Sequence, residues 1–124
     1  MKKILIVDDS STLRASVEFT LTTEGHEVLQ AEDGQRGLKV LQSLEGKEHE
    51  LGMIITDINM PVMDGISLIK EIKKTSFKYI PILVMTTEAE ESKKKEGKEA
   101  GASGWLIKPF DPEQLLGVVS RFVK

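Results

Sequence analysis

Five short runs rich in Ile, Val, Leu and Met punctuate the chain: Lys3 to Val7, Glu27 to Ala31, Met53 to Thr56, Ile80 to Met85 and Gly104 to Ile107. Between them apolar residues recur at three- and four-residue spacing, the period of a helix with one buried face. Leu13, Val17 and Leu21 form one such stripe before a break at Gly25, and Leu38, Leu41 and Leu44 form the next before Gly46. Ile66, Ile69 and Ile72 give the third helix its apolar face. The last helix opens on Asp111-Pro112-Glu113-Gln114, which combines an N-cap acid, a first-turn proline and a capping-box glutamine; Leu115, Val119 and Phe122 supply its buried stripe. Glu88 to Ala100 differs, being almost all charged with Gly97 in its interior, where glycine costs about 1 kcal/mol against alanine. A weakly held, exposed fourth helix is expected there.

Strands that read as continuous apolar runs are covered on both faces. Right-handed crossovers then place helices on either side of a parallel sheet. The expected fold class is therefore α/β, a doubly wound (βα)5 arrangement with a five-stranded parallel sheet. At 124 residues and 40% hydrophobic content the chain suits one core. No linker, repeat or low-complexity stretch divides it, and the polar Glu45 to Glu50 reads as a surface connection. Residues 1–124 are expected to form a single domain.

Composition narrows the chemistry. The absence of cysteine removes disulfides, thiolate nucleophiles and Cys-based zinc sites, and His26 and His49 lack the spacing of a metal pair and read as surface residues. Any bound metal must rest on oxygen ligands. A net charge of -3, with no basic block beyond Lys93-Lys94-Lys95, lacks the electrostatic footprint of a nucleic-acid binder. No apolar run reaches the roughly 18 residues of a membrane span, and Asp8-Asp9 interrupts the only stretch that could serve as a leader, so a cytoplasmic protein without a membrane partner is expected. Met53, Met60, Met63 and Met85 read as packing residues, because thioethers suit soft metals only.

In open parallel sheets ligands bind beyond the carboxyl ends of the strands. Four of the five expected strands deliver a reactive residue there: Asp8 and Asp9, Asp57, Thr86, and Lys108. Alone, an acidic pair is more often a turn or a helix cap, a threonine simply ends a strand, and a lysine is solvated. Together they describe a site. Carboxylates gathered in one crevice repel by about 4 kcal/mol per pair at 4 Å and an effective dielectric near 20. A hard divalent ion such as magnesium, which accepts one or two carboxylates and binds phosphate oxygens, relieves that repulsion with help from Lys108. One carboxylate can then act as a nucleophile toward phosphorus, and a Thr86 hydroxyl can bond an equatorial oxygen. The proline in Lys108-Pro109-Phe110 suits a sharp turn aiming the ammonium inward, for which a cis peptide is an option.

Val7-Asp8-Asp9-Ser10, Asp57-Ile-Asn-Met-Pro-Val-Met-Asp-Gly65, Thr86 and Lys108-Pro109-Phe110 together resemble the receiver domain of bacterial response regulators, of the CheY-like chemotaxis type, over Lys3 to Val123. That family is itself a standard instance of the flavodoxin-like strand order 2-1-3-4-5, so the order is implied by resemblance. The resemblance further implies that Asp57 accepts a phosphoryl group from a CheA-like histidine kinase. Asp9 and Asp57 would ligate Mg2+ directly, Asp8 largely through water and Asn59 through its backbone carbonyl. Thr86 and Lys108 would bind the phosphoryl oxygens, with Thr87 keeping the next position small. Met60-Pro61 to Gly65 resembles the loop that positions the acceptor. Asn59 and Glu88 fall where the family tunes dephosphorylation, and their pairing implies quick self-dephosphorylation; Glu88 also suits a helix start. Trp105 stands where the family usually has Tyr or Phe, an aromatic that swings with the threonine. An indole is bulkier and donates through nitrogen.

These features imply a stand-alone, monomeric regulator that is not an enzyme beyond Mg-dependent self-phosphorylation and self-dephosphorylation. It would signal by protein contact through the face of the fourth helix, fifth strand and fifth helix, with a flagellar motor switch protein as partner. A chain ending at Lys124 leaves no room for a DNA-binding effector. The second reading is a phosphorelay intermediate passing its phosphoryl group to a histidine phosphotransfer protein, which a short-lived phospho-form disfavours. An Asp-nucleophile phosphatase would want a general acid two residues past the nucleophile, where Asn59 stands. A flavodoxin-type cofactor binder would want a phosphate loop where Asp8-Asp9 stands.

Overall fold

Successive side chains of a strand point to opposite faces, and the central strands use this to divide their apolar residues between two cores. The computed structural model describes residues 2–123; Met1 and Lys124, which bound the expected single domain, lie outside the described residues. The elements run β1 (Lys3–Val7), α1 (Ser11–Thr23), β2 (Glu27–Ala31), α2 (Gly34–Ser43), β3 (Leu51–Thr56), α3 (Gly65–Ile72), β4 (Ile82–Thr86), α4 (Glu91–Ala100), β5 (Gly104–Ile107) and α5 (Pro112–Phe122). All strand pairs are parallel, in the order β2-β1-β3-β4-β5. The doubly wound α/β fold and its 2-1-3-4-5 order are those expected.

On one face Leu5, Val7, Ile54, Ile82 and Val84 meet Leu41 of α2 and Ile66, Leu68, Ile69 and Ile72 of α3. On the other, Ile4, Ile6, Met53, Ile55, Leu83 and Met85 meet Val17 and Leu21 of α1 and Leu115 and Val119 of α5. Each such side chain contributes about 1.5–3 kcal/mol on burial, so the sheet is held from both sides. The edge strands β2 and β5 are only partly covered, unlike the fully buried β3 and β4.

Strand and helix limits depart from the sequence pattern for local reasons. β3 begins at Leu51 rather than Met53, because Leu51 pairs with Lys3 while Ile4 pairs with Met53, leaving Gly52 as the extra residue of a bulge. β4 starts at Ile82 and runs to Thr86 rather than from Ile80 to Met85. Pro81 has no N–H for a ladder, and the Ile80 N–H is spent in a turn on the Phe77 carbonyl at 3.0 Å. α4 starts at Glu91, not Glu88, and its N-cap Glu90 makes no side-chain capping bond. The connection before β3 contains a short 3-10 turn, Glu48–Glu50. Phe122 does not complete the buried stripe of α5: it is 36% exposed. The helix ends there, and Val123 turns back over Gly52 in its place. No helix among the described residues is long and apolar enough to cross a membrane.

Candidate functional site

β1 and β3 are neighbours in the sheet, so the residues that follow them emerge side by side. Carboxylate oxygens of Asp8, Asp9 and Asp57 all lie within 4.8 Å of one another. Asp8 is fully buried and Asp57 is 8% exposed, while Asp9 faces solvent. The backbone of Asp57 is fixed from several directions. Its N–H donates to the Val7 carbonyl at 3.0 Å, and its carbonyl accepts from the Thr56 hydroxyl at 2.9 Å. Its side-chain Oδ1 accepts from the Ile58 N–H at 2.6 Å. The start of α3 closes on the same peptide: a Cβ on Gly65 would sit 2.0 Å from the Asp57 carbonyl oxygen, so only glycine fits. Asp64 caps α3 by accepting from the Ser67 N–H at 2.9 Å. These bonds leave Oδ2 of Asp57 facing the crevice.

Lys108 reaches into that crevice from the end of β5. The Lys108-Pro109 peptide is cis. The ammonium donates to Asp8 Oδ2 at 2.8 Å and to Asp57 Oδ2 at 3.0 Å. Burial pulls its pKa down, but the hydrogen bonds and charges of Asp8 and Asp57 outweigh burial and hold it above the ordinary lysine value. One ammonium does not balance three carboxylates. The donor set consists of carboxylate oxygens only, which fits a hard divalent cation such as magnesium and no soft metal. A carboxylate with one oxygen anchored and the other paired to an ammonium can attack an electrophilic phosphorus while its neighbours offset the charge of the incoming group.

Thr86 ends β4 fully buried, and its hydroxyl oxygen accepts from the Glu88 N–H at 3.2 Å, so the hydroxyl hydrogen is free to donate elsewhere. The Trp105 indole N–H donates to the Glu88 carbonyl at 3.0 Å. Thr86, Glu88 and Trp105 are thus joined through one loop. Thr87 and Asn59 are exposed at its mouth. Arg14 has no counterpart in the sequence expectations: its guanidinium donates to the Asp8 carbonyl and, through Nε, to Gln30 Oε1 at 2.9 Å. The available signal was its place one turn into the helix that follows Asp8-Asp9. Val62 also escaped notice; it holds φ 70° and is 74% exposed on the loop beside Asp57. His26 is half-buried with its Nδ1 enclosed and unpaired, a correction to its reading as a surface residue, whereas His49 is exposed. His26 comes just after the Glu24-Gly25 end of α1, and its backbone N–H donates to the Leu21 carbonyl at 3.1 Å. Met53 and Met85 lie in the core, and Met60 and Met63 pack against it.

A parallel five-stranded sheet with an acidic cluster, a lysine and a threonine at its carboxyl edge defines a class of signalling domain, and comparison with known proteins agrees. The response regulator receiver domain matches residues 4–120, and the chain belongs to that family. It is similar to the chemotaxis protein CheY1 of Helicobacter pylori, 39% identical over 115 residues that make up 91% of this chain and 90% of the other. Among solved structures it is similar to the chemotaxis protein CheY4 of Vibrio cholerae, with a TM-score of 0.91, 44% identity and 99% of each chain covered. It also resembles the receiver domain of a sensor histidine kinase from Pseudomonas aeruginosa solved with a magnesium ion coordinated in the active site cleft. There the TM-score is 0.83 and the identity 27%, over 98% of this chain and 96% of that one. The protein is a two-component response regulator receiver, a signalling unit rather than a classical enzyme.

Proposed function

We propose that this receiver is a single-domain chemotaxis regulator phosphorylated on Asp57. The observation that carries the assignment is the Lys108 ammonium shared between Asp8 and Asp57 at the edge of the sheet. Asp8, Asp9 and Asp57, with the backbone carbonyl of Asn59, would hold magnesium, which when bound offsets the charge of the acids and of an incoming phosphoryl group. Asp57 Oδ2 forms the new bond to phosphorus as the phosphorus–nitrogen bond of a phosphohistidine donor breaks, and the departing imidazole takes up a proton. Lys108 follows the transferred oxygens, and the free Thr86 hydroxyl hydrogen donates to another of them. Asn59 and Glu88, both at the mouth of the site, tune the later attack of water.

Similarity to chemotaxis proteins over nearly the whole chain supports this output over a phosphorelay role. The partners are then a histidine kinase and a flagellar motor switch protein, met in the cytoplasm by a monomer. The face between α4 and β5 offers that partner a groove of about 610 Å³ lined by Trp105, by Lys94, Lys95 and Lys98 and by one carboxylate, Glu91, a net positive charge suited to an acidic segment. Incubation with acetyl phosphate and magnesium should add one phosphoryl group to the intact mass, and Asp57→Asn should remove it. Persistence of the added mass in the variant would disprove the assignment. Glu88→Ala should change the decay rate of the phospho-form several-fold, and an unchanged rate would remove Glu88 from the kinetic role.

A further inference from the structure

Helix propensity alone argues against Gly97. It sits inside α4, where alanine would be the better former, yet it is the one buried residue of that helix. The reason lies across the groove. A Cβ on residue 97 would stand 2.6 Å from Cζ3 of Trp105, and 3.4 Å and 3.5 Å from Cε3 and Cη2. The indole therefore lies against the backbone of α4, in the space a side chain would take. The same ring is tethered at its other end, where Nε1–H donates to the Glu88 carbonyl. Glu88 in turn gives its N–H to the Thr86 hydroxyl. Around Gly97 the helix ends tightly, with the N–H groups of Gly101 and Ala102 both returning to the Gly97 carbonyl at 3.1 Å and 3.0 Å.

We propose that Gly97 is a notch that seats the Trp105 indole, making the ring a strut between α4 and the loop that carries Thr86 and Glu88. The missing side chain is what lets a ring as large as tryptophan lie between the α4 backbone and the Glu88 carbonyl. A displacement of Thr86 or Glu88 then reaches α4 through the indole rather than through the uncapped start of the helix. The steric half of this proposal is independent of phosphorylation. The signalling half rests on the proposed role of Thr86.

The test is a cycle of Gly97→Ala, Trp105→Ala and the double variant, studied in the resting protein without a phosphoryl donor. Propensity alone predicts that alanine at 97 raises Tm in both backgrounds. The notch predicts opposite signs: a Tm lowered by about 4 °C or more with Trp105 present and raised by a similar amount with Trp105 removed. Trp105, the only tryptophan, should also shift its emission to the red and quench more readily with acrylamide in Gly97→Ala. A higher Tm in both backgrounds, or unchanged emission, overturns the proposal. If Gly97→Ala does not fold, the double variant against Trp105→Ala decides: more stable supports the notch, less stable overturns it. For the signalling half, beryllofluoride with magnesium should alter amide exchange in α4 of the parent and leave α4 of Trp105→Ala unchanged. The same response in both would refute the strut. Because the cycle is run without a donor, failure of Asp57 to be phosphorylated would leave its outcome untouched.

Discussion

α3 and α4 are neighbours on the same face of the sheet and are built to opposite standards. α3 begins on the capping Asp64, buries Ile66, Leu68, Ile69 and Ile72, and presses Gly65 onto the Asp57 peptide. α4 begins on Glu90 with no capping bond, buries only Gly97, and rests on the Trp105 indole and, through Ala100, on the margin of the core. The first arrangement over-determines the position of a carboxylate. The second leaves a helix whose placement depends on a few contacts, which suits the output role proposed for its face. Rigidity is concentrated around the Asp57 carboxylate, and looseness on the face proposed for output.

The most direct way to break this contrast is to disturb the rigid side. Gly65→Ala forces a methyl group onto the Asp57 carbonyl, which backbone cannot yield, so it should cost about 3 kcal/mol or more in urea unfolding. Lys108→Ala leaves Asp8 and Asp57 without their shared cation; after discount for the partial exposure of the lysine the loss should be about 2 kcal/mol in chelator. Millimolar magnesium should recover part of it, and a loss indifferent to magnesium would argue against a common site for the ion and the ammonium. The smallest effect belongs to the loose side. Glu90→Ser supplies the missing cap of α4 and should raise stability by about 0.5 kcal/mol, with hydrogen exchange in the first turn of α4 slowed. No slowing there would mean that α4 is held by something other than its ends.

Much of this architecture was legible in the residues, and the parts that were not have physical causes. The stripes of α1, α2 and α3 and the capping box of α5 follow from local period and local hydrogen bonding, and they appear where the pattern put them. The start of β3 was missed because Gly52 is spent in a bulge that only the partner strand β1 reveals. The start of β4 was placed two residues early, at Ile80, because the apolar pattern runs on through Pro81, which has no N–H for the ladder. Phe122 fits the period of its helix, but the helix stops before the stripe is covered. At the site, Asp8, Asp9, Asp57 and Lys108 could be gathered from strand ends alone. Arg14 could not, because its bond to the Asp8 carbonyl depends on how α1 leaves the turn. Gly97 read as a weakness of α4 until the fold laid Trp105, from the neighbouring strand β5, against it and supplied the reason for its missing side chain.

The central claim is that chemistry at Asp57 is felt at Trp105. Adding beryllofluoride and magnesium while recording the emission of this single tryptophan tests it most directly. The parent protein should show a saturable change in intensity or wavelength that needs both components, and Asp57→Asn should show none. An unchanged emission in the parent, with magnesium binding verified separately, would contradict the account.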